Sequence, residues 1–400
     1  MALSKYDPEK AELVSLLGGA TVGSYQPVGS SVLLTNPTSE DPLEENWLDA
    51  TDTTSGNVFF STPFGGRFAS DHPPIAWPTD DGVLLIEQRE HWRPIAVGLD
   101  GSTTTGDEFP SYVRFLSDLG ASDGRQFVAF QGASEDLAII SSINVKTASI
   151  QRHAQLQSNS GPYFEGRVID GTLYALLDSD GRTRVIACDL ASGQDHDLFS
   201  IECDSSSSCL HGLAIDSEAQ SLVTRERSTG RLFRVRFSGG AEPVDISFGE
   251  GTPESLCFSA EVHCWLSQIS AGHFRLSTQL YFQRFLALEI DVRRDQITRT
   301  LVSQDSEYWD SSPSIHPLGR DDELVRTSDP ESGFSQLFVG RTGAPLADLE
   351  RKTYLSLAHG RPLSSPDEQY AYYIIEDPVY SDPAVTTQCA RRALRTTSRR

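Results

Sequence analysis

The sequence lacks any apolar run approaching the roughly 18 residues of a membrane-spanning helix. It also lacks the apolar core of a secretory signal, because residues 1–17 carry Lys5, Glu9 and Lys10 among other charged side chains. Its one Asn-x-Ser/Thr triplet, at Asn36, has proline in the middle position, which excludes glycosylation there. These absences predict a cytoplasmic protein with no membrane partner.

Basic residues are scarce relative to acidic ones. The chain has 33 Lys and Arg against 56 Asp and Glu, a formal net charge of −23. Such a surface repels phosphate backbones, which argues against a general nucleic-acid binder. The one basic run lies in residues 391–400, which we predict to be a disordered tail.

Cysteines are few and form no Cys-x-x-Cys motif, which excludes a zinc ribbon or a redox motif of that type. Among the six, Cys203 and Cys209 flank a serine-rich loop, and Cys257 and Cys264 flank a predicted hairpin. Either pair would form a disulfide in an oxidising compartment. For an intracellular chain we predict that all six are free thiols.

The common catalytic strings are also missing. The sequence contains no Gly-x-Ser-x-Gly, no His-Glu-x-x-His, no P-loop and no dinucleotide-binding fingerprint. A serine hydrolase of the nucleophile-elbow type, an ATPase and a Rossmann dehydrogenase are therefore disfavoured.

Short β-rich runs separated by turn residues fill the chain, and no long helical periodicity interrupts them. Paired strands with polar turns recur near Gly101, Ser149, Gly193, Gly240, Arg294 and Gly343. The gaps between these turns are 48, 44, 47, 54 and 49 residues, the length of one four-stranded blade of a β-propeller. We predict an all-β propeller of about seven blades, with six or eight as alternatives.

An inner strand pair with its own turn precedes each of these hairpins. Several of the inner turns contain Asp-Gly, a signal for tight hairpins, as at Asp170-Gly171. We predict one propeller domain over residues 1–390, in which a strand near Glu12–Leu17 joins the last blade and closes the ring.

Two segments resemble known propeller blades. "RPLSSPDEQYAYY" resembles blades of TolB-type propellers, and "LHGLAIDSEAQSLV" with "GRLFRVRFSGG" resembles NHL-repeat and SMP-30-type blades. Blade motifs of this kind imply a fold rather than an activity.

Roughly the last 130 residues are similar to the final blades of oligogalacturonate lyases, cytoplasmic propellers that hold a divalent metal such as manganese. That family carries Gln-x-x-His-x-His in its last blade. Here His359 matches the first histidine, whereas Ser356 and Arg361 replace the glutamine and the second histidine. The resemblance supports the propeller fold. It argues against a bound metal ion, because the arginine in place of a ligand repels a cation. We predict no metal ligands and no cofactor.

Polar residues recur where the innermost strand of each predicted blade begins, at one mouth of the central channel. Histidine, carboxylate and arginine together suit proton transfer and anion binding. We predict as catalytic His72, Glu165, His211, Glu254, His316 and His359, and as substrate-binding Arg114, Tyr163, Trp309 and Arg361. The alternatives are a solvated channel mouth with internally bonded polar groups and, for the aromatics, packing between blades.

We therefore predict a small-molecule enzyme of the lyase, isomerase or cyclase type, including a cyclisation or cycloaddition in secondary metabolism. It would act by positioning and metal-independent acid–base catalysis. One alternative is a non-catalytic scaffold, whose acidic surface would favour a basic protein partner. Another is a metal-dependent lyase of the oligogalacturonate type. The scaffold alternative is weakened because the single Trp-Asp pair, at Trp309, does not recur from blade to blade as it does in WD-repeat scaffolds.

Overall fold

A computed structural model describes about two thirds of the chain. The described residues are 2–7, 12–17, 22–28, 32–37, 46–52, 58–64, 76–79, 82–88, 92–98, 100–109, 113–116, 124–162, 164–179, 181–203, 209–248, 255, 257–258, 264–280, 284–302, 314–318, 322–328, 335–341, 350–355, 363–364 and 371–375.

In its described residues the chain forms short β-strands arranged as eight four-stranded antiparallel sheets. It divides into two compact units, and each contains four of these sheets. The first unit comprises residues 1–108, 145–148 and 307–400, and the second comprises residues 109–144 and 149–306.

The strands of the second unit follow the chain in four groups of four. They are β11 (Val113–Phe115), β12 (Arg125–Gln131), β13 (Leu137–Asn144), β14 (Ile150–Gln157), β15 (Glu165–Ile169), β16 (Thr172–Ser179), β17 (Arg182–Asp189), β18 (Gln194–Glu202), β19 (Leu210–Asp216), β20 (Ser221–Glu226), β21 (Leu232–Arg236), β22 (Ala241–Pro243), β23 (Trp265–Ser270), β24 (His273–Leu280), β25 (Arg284–Asp291) and β26 (Gln296–Val302).

The first unit contains three sheets of consecutive strands and one sheet that combines both ends of the chain. Its strands are β1 (Ala2–Asp7), β2 (Glu12–Leu17), β3 (Val22–Val28), β4 (Val32–Pro37), β5 (Asn46–Asp52), β6 (Val58–Phe64), β7 (Ala76–Thr79), β8 (Gly82–Gln88), β9 (Trp92–Gly98), β10 (Thr103–Thr105), β27 (Ser314–Leu318), β28 (Asp322–Ser328), β29 (Ser335–Arg341), β30 (Glu350–Leu355), β31 (Leu363–Ser364) and β32 (Ala371–Ile375).

The sheet that combines the chain ends has the order β2-β1-β32-β31. Strand β1 pairs directly with β32, and β2, the segment singled out in the sequence, pairs with the outer side of β1. Two N-terminal strands therefore complete a sheet that two C-terminal strands begin. A single domain over residues 1–390 and a disordered tail remain predictions.

The all-β fold is confirmed, and the number of sheets is one more than the favoured count of seven. The recurrent turns named in the sequence begin at Gly101, yet residues 1–60 contribute β3, β4 and β5, which form a sheet of their own with β6. Eight, given beside seven as an alternative, is the number observed.

The predicted inner turn at Asp170-Gly171 is a tight two-residue hairpin between β15 and β16. Both residues have positive φ, 49° and 77°. This is the geometry of a type I′ turn, for which Asp-Gly is well suited because glycine adopts positive φ without steric cost. The sequence therefore located this hairpin correctly from its turn residues.

Strands in the middle of the second unit are buried on both faces. Along β16, Leu173, Ala175 and Leu177 pack towards the β11–β14 sheet, whereas Tyr174 and Leu176 pack towards the β19–β22 sheet. Because successive side chains of a strand point to opposite faces, one strand supplies two inter-sheet cores. This explains why the strands read as nearly continuous apolar runs rather than as alternating ones.

A β-bulge recurs between the third and fourth strands of six sheets. One example is the register shift at Val185/Ile186, between β17 and β18. The other five lie at Leu3/Ser4, Ala50/Thr51, Ile140/Ser141, Glu289/Ile290 and Leu337/Phe338. Bulges increase the twist of a strand pair, and a repeated position indicates a repeated structural unit. The two remaining sheets have a fourth strand of only three residues.

Candidate functional site

In the second unit the first strand of one sheet contacts the first strand of the next, so that β15 meets β19 and β19 meets β23. Two of the predicted site residues lie where these strands begin. Glu165 is the first residue of β15, and His211 is the second residue of β19. The sequence therefore placed both at the same end of neighbouring first strands.

A bulge at Gly212 brings Glu165 into contact with β19. The register with β20 shifts between His211 and Ala214, and Gly212 has a φ of +74°. Its amide donates a hydrogen bond to Oε1 of Glu165 over 3.0 Å. A Cβ on Gly212 would overlap with the side chain of Leu266, so glycine is required both by its φ and by the available space.

Glu165 is half-buried and fixed through one oxygen only. Among the described residues, no hydrogen bond to its Oε2 is present. A carboxylate has acceptor sites on both oxygens, so Oε2 retains the capacity to bind a ligand or to exchange a proton. Its position is nevertheless determined, because the amide of Gly212 holds the other oxygen.

His211 differs from Glu165 because its imidazole is almost fully buried, with 8% of the residue exposed. Its Nε2 lies 2.9 Å from the carbonyl oxygen of Cys264 and 3.3 Å from Nη1 of Arg225. One ring nitrogen cannot donate to the carbonyl and accept from the guanidinium in the same tautomer. His211 therefore takes part in an internal polar cluster, which corresponds to the alternative of an internally bonded polar group.

Arg225 is the centre of this cluster and is only 1% exposed. Its Nη2 donates to the carbonyl oxygen of Cys257 over 3.1 Å, while Nη1 faces His211. Burial lowers the pKa of the guanidinium. This role could not be predicted from the sequence, because "VTRERS" has the charge pattern of an exposed strand end, whereas every residue of β20 is buried.

Two free thiols, Cys257 and Cys264, complete the cluster and have no exposed surface. They lie in one apolar core with Phe274. A hydrogen bond from Cys257, together with the positive charge of Arg225 and a hydrogen bond from Thr278, lowers the pKa of the Cys264 thiol.

The prediction of six free thiols was wrong for one pair, because the structure joins Cys203 and Cys209 in a disulfide. Their Cα atoms are 5.6 Å apart, within the range that a disulfide spans. The three other described cysteines are free. Among them, burial raises the pKa of Cys188 to about 11, so this thiol stays protonated near neutral pH.

The remaining predicted residues are not brought into this cluster by the described part of the chain. Arg114 lies in β11, and His316 lies in β27 of the other unit. Outside the described residues are His72, Tyr163, Glu254, Trp309, His359 and Arg361. Phe164, an aromatic next to Tyr163, packs in the core between β11–β14 and β15–β18.

Among the described residues, no group of three or more His, Cys, Asp and Glu side chains is arranged to hold a metal ion. The metal implied by the lyase resemblance would be held near His359, where Ser356 and Arg361 stand in place of two ligands. A guanidinium cannot ligate a cation, so these residues do not fit the metal. In the described part of the chain no helix is long and apolar enough to cross a membrane.

No family model matches the chain, and no curated protein matches it. Solved structures do resemble it. The structure of Sqt1 from Saccharomyces cerevisiae aligns with 90% of this chain and 97% of its own length, at 10% identity and a TM-score of 0.51. The Dos1 propeller aligns at 12% identity over 76% of both chains with a TM-score of 0.43. TolB from Acinetobacter baumannii aligns at 10% identity over 86% of this chain and 79% of its own, with a TM-score of 0.37.

The eight four-stranded sheets and the likeness to Sqt1 define the class of protein as an all-β propeller. Identities near 10% show the fold alone. The TolB-like fold predicted from the blade motifs is supported at this level, whereas the finer likeness to oligogalacturonate lyases is not shown.

Proposed function

We propose that the chain is a small-molecule enzyme of the lyase, isomerase or cyclase type, and that Glu165 is its proton-transferring group. The site lies where the first strands of neighbouring sheets begin. A cyclisation or cycloaddition in secondary metabolism belongs to this class. The proposal needs no metal, since proton transfer and positioning by fixed side chains supply the catalysis.

The observation that carries the proposal is the asymmetric bonding of Glu165. Its Oε1 is held by the amide of Gly212, while Oε2 forms no hydrogen bond to the described residues. A general base must be held in place and still have an oxygen within reach of the substrate proton. Among the predicted catalytic residues that the structure describes with side chains, Glu165 has this arrangement and His211 does not.

His211 has a positioning role in this proposal. It contacts the carbonyl of Cys264 and lies next to Gly212, whose amide holds Glu165. The guanidinium of Arg225 lies 3.3 Å from Nε2 of His211, so the imidazole is engaged within the buried cluster. His211 therefore stabilises the bulge that orients Glu165 and does not itself transfer a proton to the substrate.

The proposal is tested by incubating the purified protein with a small-molecule extract and following each compound by mass spectrometry. Wild-type protein should convert one or a few compounds, and Glu165→Gln should convert them at least about 100-fold more slowly, since general-base removal has effects of this size. The glutamine retains an acceptor for the Gly212 amide, so the fold is preserved. Glu202→Gln, on an exposed residue of β18, is the matched control and should retain full activity. Equal conversion by wild type and Glu165→Gln would contradict the assignment.

A second candidate is an interaction scaffold, and one observation favours it. Phe248 is 41% exposed, and its ring stacks on that of Phe258 at a centroid distance of 4.8 Å. An exposed stacked aromatic is a frequent anchor of protein interfaces. The net charge of −23 would favour a basic partner. Under this alternative, Phe248→Ser would abolish binding of a basic partner, Glu165→Gln would leave it unchanged, and wild-type protein would convert no compound.

A further inference from the structure

A buried pair of thiols, Cys257 and Cys264, is the strongest chemical cluster that the proposed function does not use. The two residues are seven positions apart, and each has no exposed surface. Cys264 immediately precedes β23, and Cys257 lies in the segment between β22 and β23. Both side chains belong to the core between the β19–β22 and β23–β26 sheets.

Two side chains from the neighbouring sheet hold the backbone on either side of this pair. Arg225 donates to the carbonyl of Cys257 over 3.1 Å, and Nε2 of His211 lies 2.9 Å from the carbonyl oxygen of Cys264. Arg225 and His211 are themselves 3.3 Å apart. The two cysteine backbones are therefore bound to adjacent groups, and the Cys257 thiol forms a hydrogen bond with the Cys264 sulfur.

The Cys264 sulfur lies among groups that favour its thiolate. Cys264 receives hydrogen bonds from Cys257 and from the hydroxyl of Thr278, and the Arg225 cation lies close to it. These contacts stabilise a thiolate on Cys264, since hydrogen bonds and a nearby cation both favour the charged form. We therefore expect Cys264 to react first and Cys257 second, an order that the variants below test.

We propose that Cys257 and Cys264 form a redox-active dithiol that a hydroperoxide oxidises to a disulfide. The Cys264 thiolate attacks one peroxide oxygen, the O–O bond breaks, and the leaving oxygen takes up a proton to form water or an alcohol. Cys264 is now a sulfenic acid. The Cys257 sulfur attacks the Cys264 sulfur, the S–O bond breaks, and hydroxide leaves as water with the Cys257 proton. Two thiols and one peroxide thus give a disulfide, water and an alcohol or a second water.

Burial of both sulfurs determines how this reaction proceeds. The oxidant reaches these two buried sulfurs only through local opening of the core around them, so oxidation is slower than that of an exposed thiol. Opening requires the hydrogen bond between Arg225 and the Cys257 carbonyl to break. The pair would therefore respond to sustained rather than brief peroxide exposure, and this property does not depend on the activity proposed for Glu165.

The chain contains an internal control. Cys188 is also free and fully buried, but burial raises its pKa to about 11, and its partner groups are Asp189 and Asp195 rather than a cation. It should stay a thiol under conditions that oxidise the pair.

The test uses full-length protein treated with hydrogen peroxide, then denatured with N-ethylmaleimide, digested and analysed by mass spectrometry without reduction. We expect a peptide pair linked through Cys257 and Cys264, reversal by dithiothreitol, and full alkylation of Cys188. The same dose is applied to urea-unfolded protein to establish that the oxidant is sufficient. If the unfolded chain forms the disulfide and the folded protein leaves both thiols alkylatable, the proposal is wrong.

Variants separate the roles of the two sulfurs. Cys257→Ser should stop the reaction at a sulfenic acid on Cys264, which dimedone traps, whereas Cys264→Ser should leave Cys257 as a thiol. Thr278→Val, nearly isosteric, removes one hydrogen bond to Cys264 and should slow disulfide formation several-fold, by about threefold to tenfold. A sulfenic acid on Cys257 in the Cys264→Ser protein, with none on Cys264 in Cys257→Ser, would overturn the assignment of nucleophile.

Discussion

Two inter-sheet interfaces of the second unit are built differently. Between β11–β14 and β15–β18 the core is apolar, with side chains such as Phe127, Ile140 and Leu177. Between β19–β22 and β23–β26 a similar apolar core adjoins a buried guanidinium, an imidazole and two thiols, centred on Arg225. The two interfaces thus share the same fold, and they differ in that the second also buries titratable and nucleophilic side chains.

The difference between the two interfaces shows where charged and reactive side chains can be buried in this fold. Burying a charge costs free energy unless hydrogen bonds compensate for lost hydration. At the second interface, backbone carbonyls of Cys257 and Cys264 meet Arg225 and His211, and these carbonyls belong to the segment between β22 and β23 and not to a strand ladder. Polar groups are therefore buried where irregular backbone offers them acceptors.

The largest expected effect is the removal of Arg225. Arg225→Ala leaves a cavity, and it deprives the Cys257 carbonyl of its buried donor. We expect the free energy of unfolding to fall by about 4 kcal/mol. Urea denaturation checks this, with Arg227→Ala as the matched control, since Arg227 is exposed and should change stability by less than about 0.5 kcal/mol. A loss for Arg225→Ala no larger than that of the control would contradict the buried cluster.

Gly212→Ala distinguishes the bulge from an ordinary turn. The added methyl group meets Leu266 and forces alanine to a φ of +74°, so we expect destabilisation by about 3 kcal/mol. Gly171→Ala is the control: its φ is +77°, but no atom lies within 4 Å of the new Cβ, and the expected loss is about 1 kcal/mol. Similar losses at the two glycines, measured by thermal unfolding, would show that β23 does not approach the bulge closely.

An ion pair at the second interface should make its stability depend on acid. Asp216 is buried, and Arg293 donates to both of its oxygens over 2.6 Å, which lowers the pKa of Asp216. A carboxyl with a depressed pKa contributes stability above its unfolded pKa of about 3.9 and loses it as pH falls through the folded value. Asp216→Asn should therefore cost about 2 kcal/mol at pH 7 and less as pH falls below about 4.

The control for this prediction is Asp245→Asn, on an exposed residue. Unfolding curves recorded from pH 7 to pH 3 should show that the gap between wild type and Asp216→Asn narrows, while Asp245→Asn follows the wild type throughout. A gap that stays constant with pH would mean that the carboxylate charge of Asp216 is not what stabilises the pair.

The apolar interface should show a smaller pH effect through His153. Its Nδ1 donates to the carbonyl of Leu190 over 3.1 Å, and its Nε2 lies 2.8 Å from the hydroxyl of Ser142. Burial lowers the pKa of His153. The neutral form stabilises the fold above the unfolded pKa of about 6.5, and this contribution is lost as pH falls through the folded value. We expect His153→Gln to reduce the loss of stability between pH 7 and pH 5 by less than about 1 kcal/mol.

Exposed His196, on β18, provides the comparison for His153. His196→Gln should leave the stability difference between pH 7 and pH 5 as it is in the wild type. If both substitutions alter that difference equally, the burial of His153 is not responsible.

The smallest expected effect is that of chelation. With Ser356 and Arg361 in place of two ligands, EDTA and manganese should each leave the melting temperature unchanged. Metal analysis of the purified protein should find no stoichiometric divalent ion. A tightly bound ion together with a melting temperature lowered by EDTA would instead support the metal-dependent lyase alternative.

The repeat was predictable because its turns carry local signals. Turn residues such as Asp170, Gly193 and Gly240 lie between the strands that the sequence predicted. The hairpin between β23 and β24 was expected from the repeat, but its turn at Ala271-Gly272 was not located, because it contains no Asp-Gly pair. Its glycine has positive φ, which the sequence does not reveal.

The site was predictable only in part. Glu165 and His211 were placed correctly at the beginning of first strands, because that position follows from the repeat. Arg225 was missed, since its buried partners, such as the carbonyl of Cys257, are distant in sequence. The different roles of Glu165 and His211 could not be predicted from the sequence either, because they follow from the bulge at Gly212.

The most direct measurement is the hydrogen exchange of the Gly212 amide, followed by NMR in wild type, Glu165→Gln and Glu165→Ala. If Glu165 is held across the first strands of neighbouring sheets, the amide is protected in wild type and in Glu165→Gln, which both offer an acceptor, and exchanges faster in Glu165→Ala. Equal protection in all three proteins would contradict the account, because Glu165 would then not be fixed by β19 and its second oxygen would have no defined position.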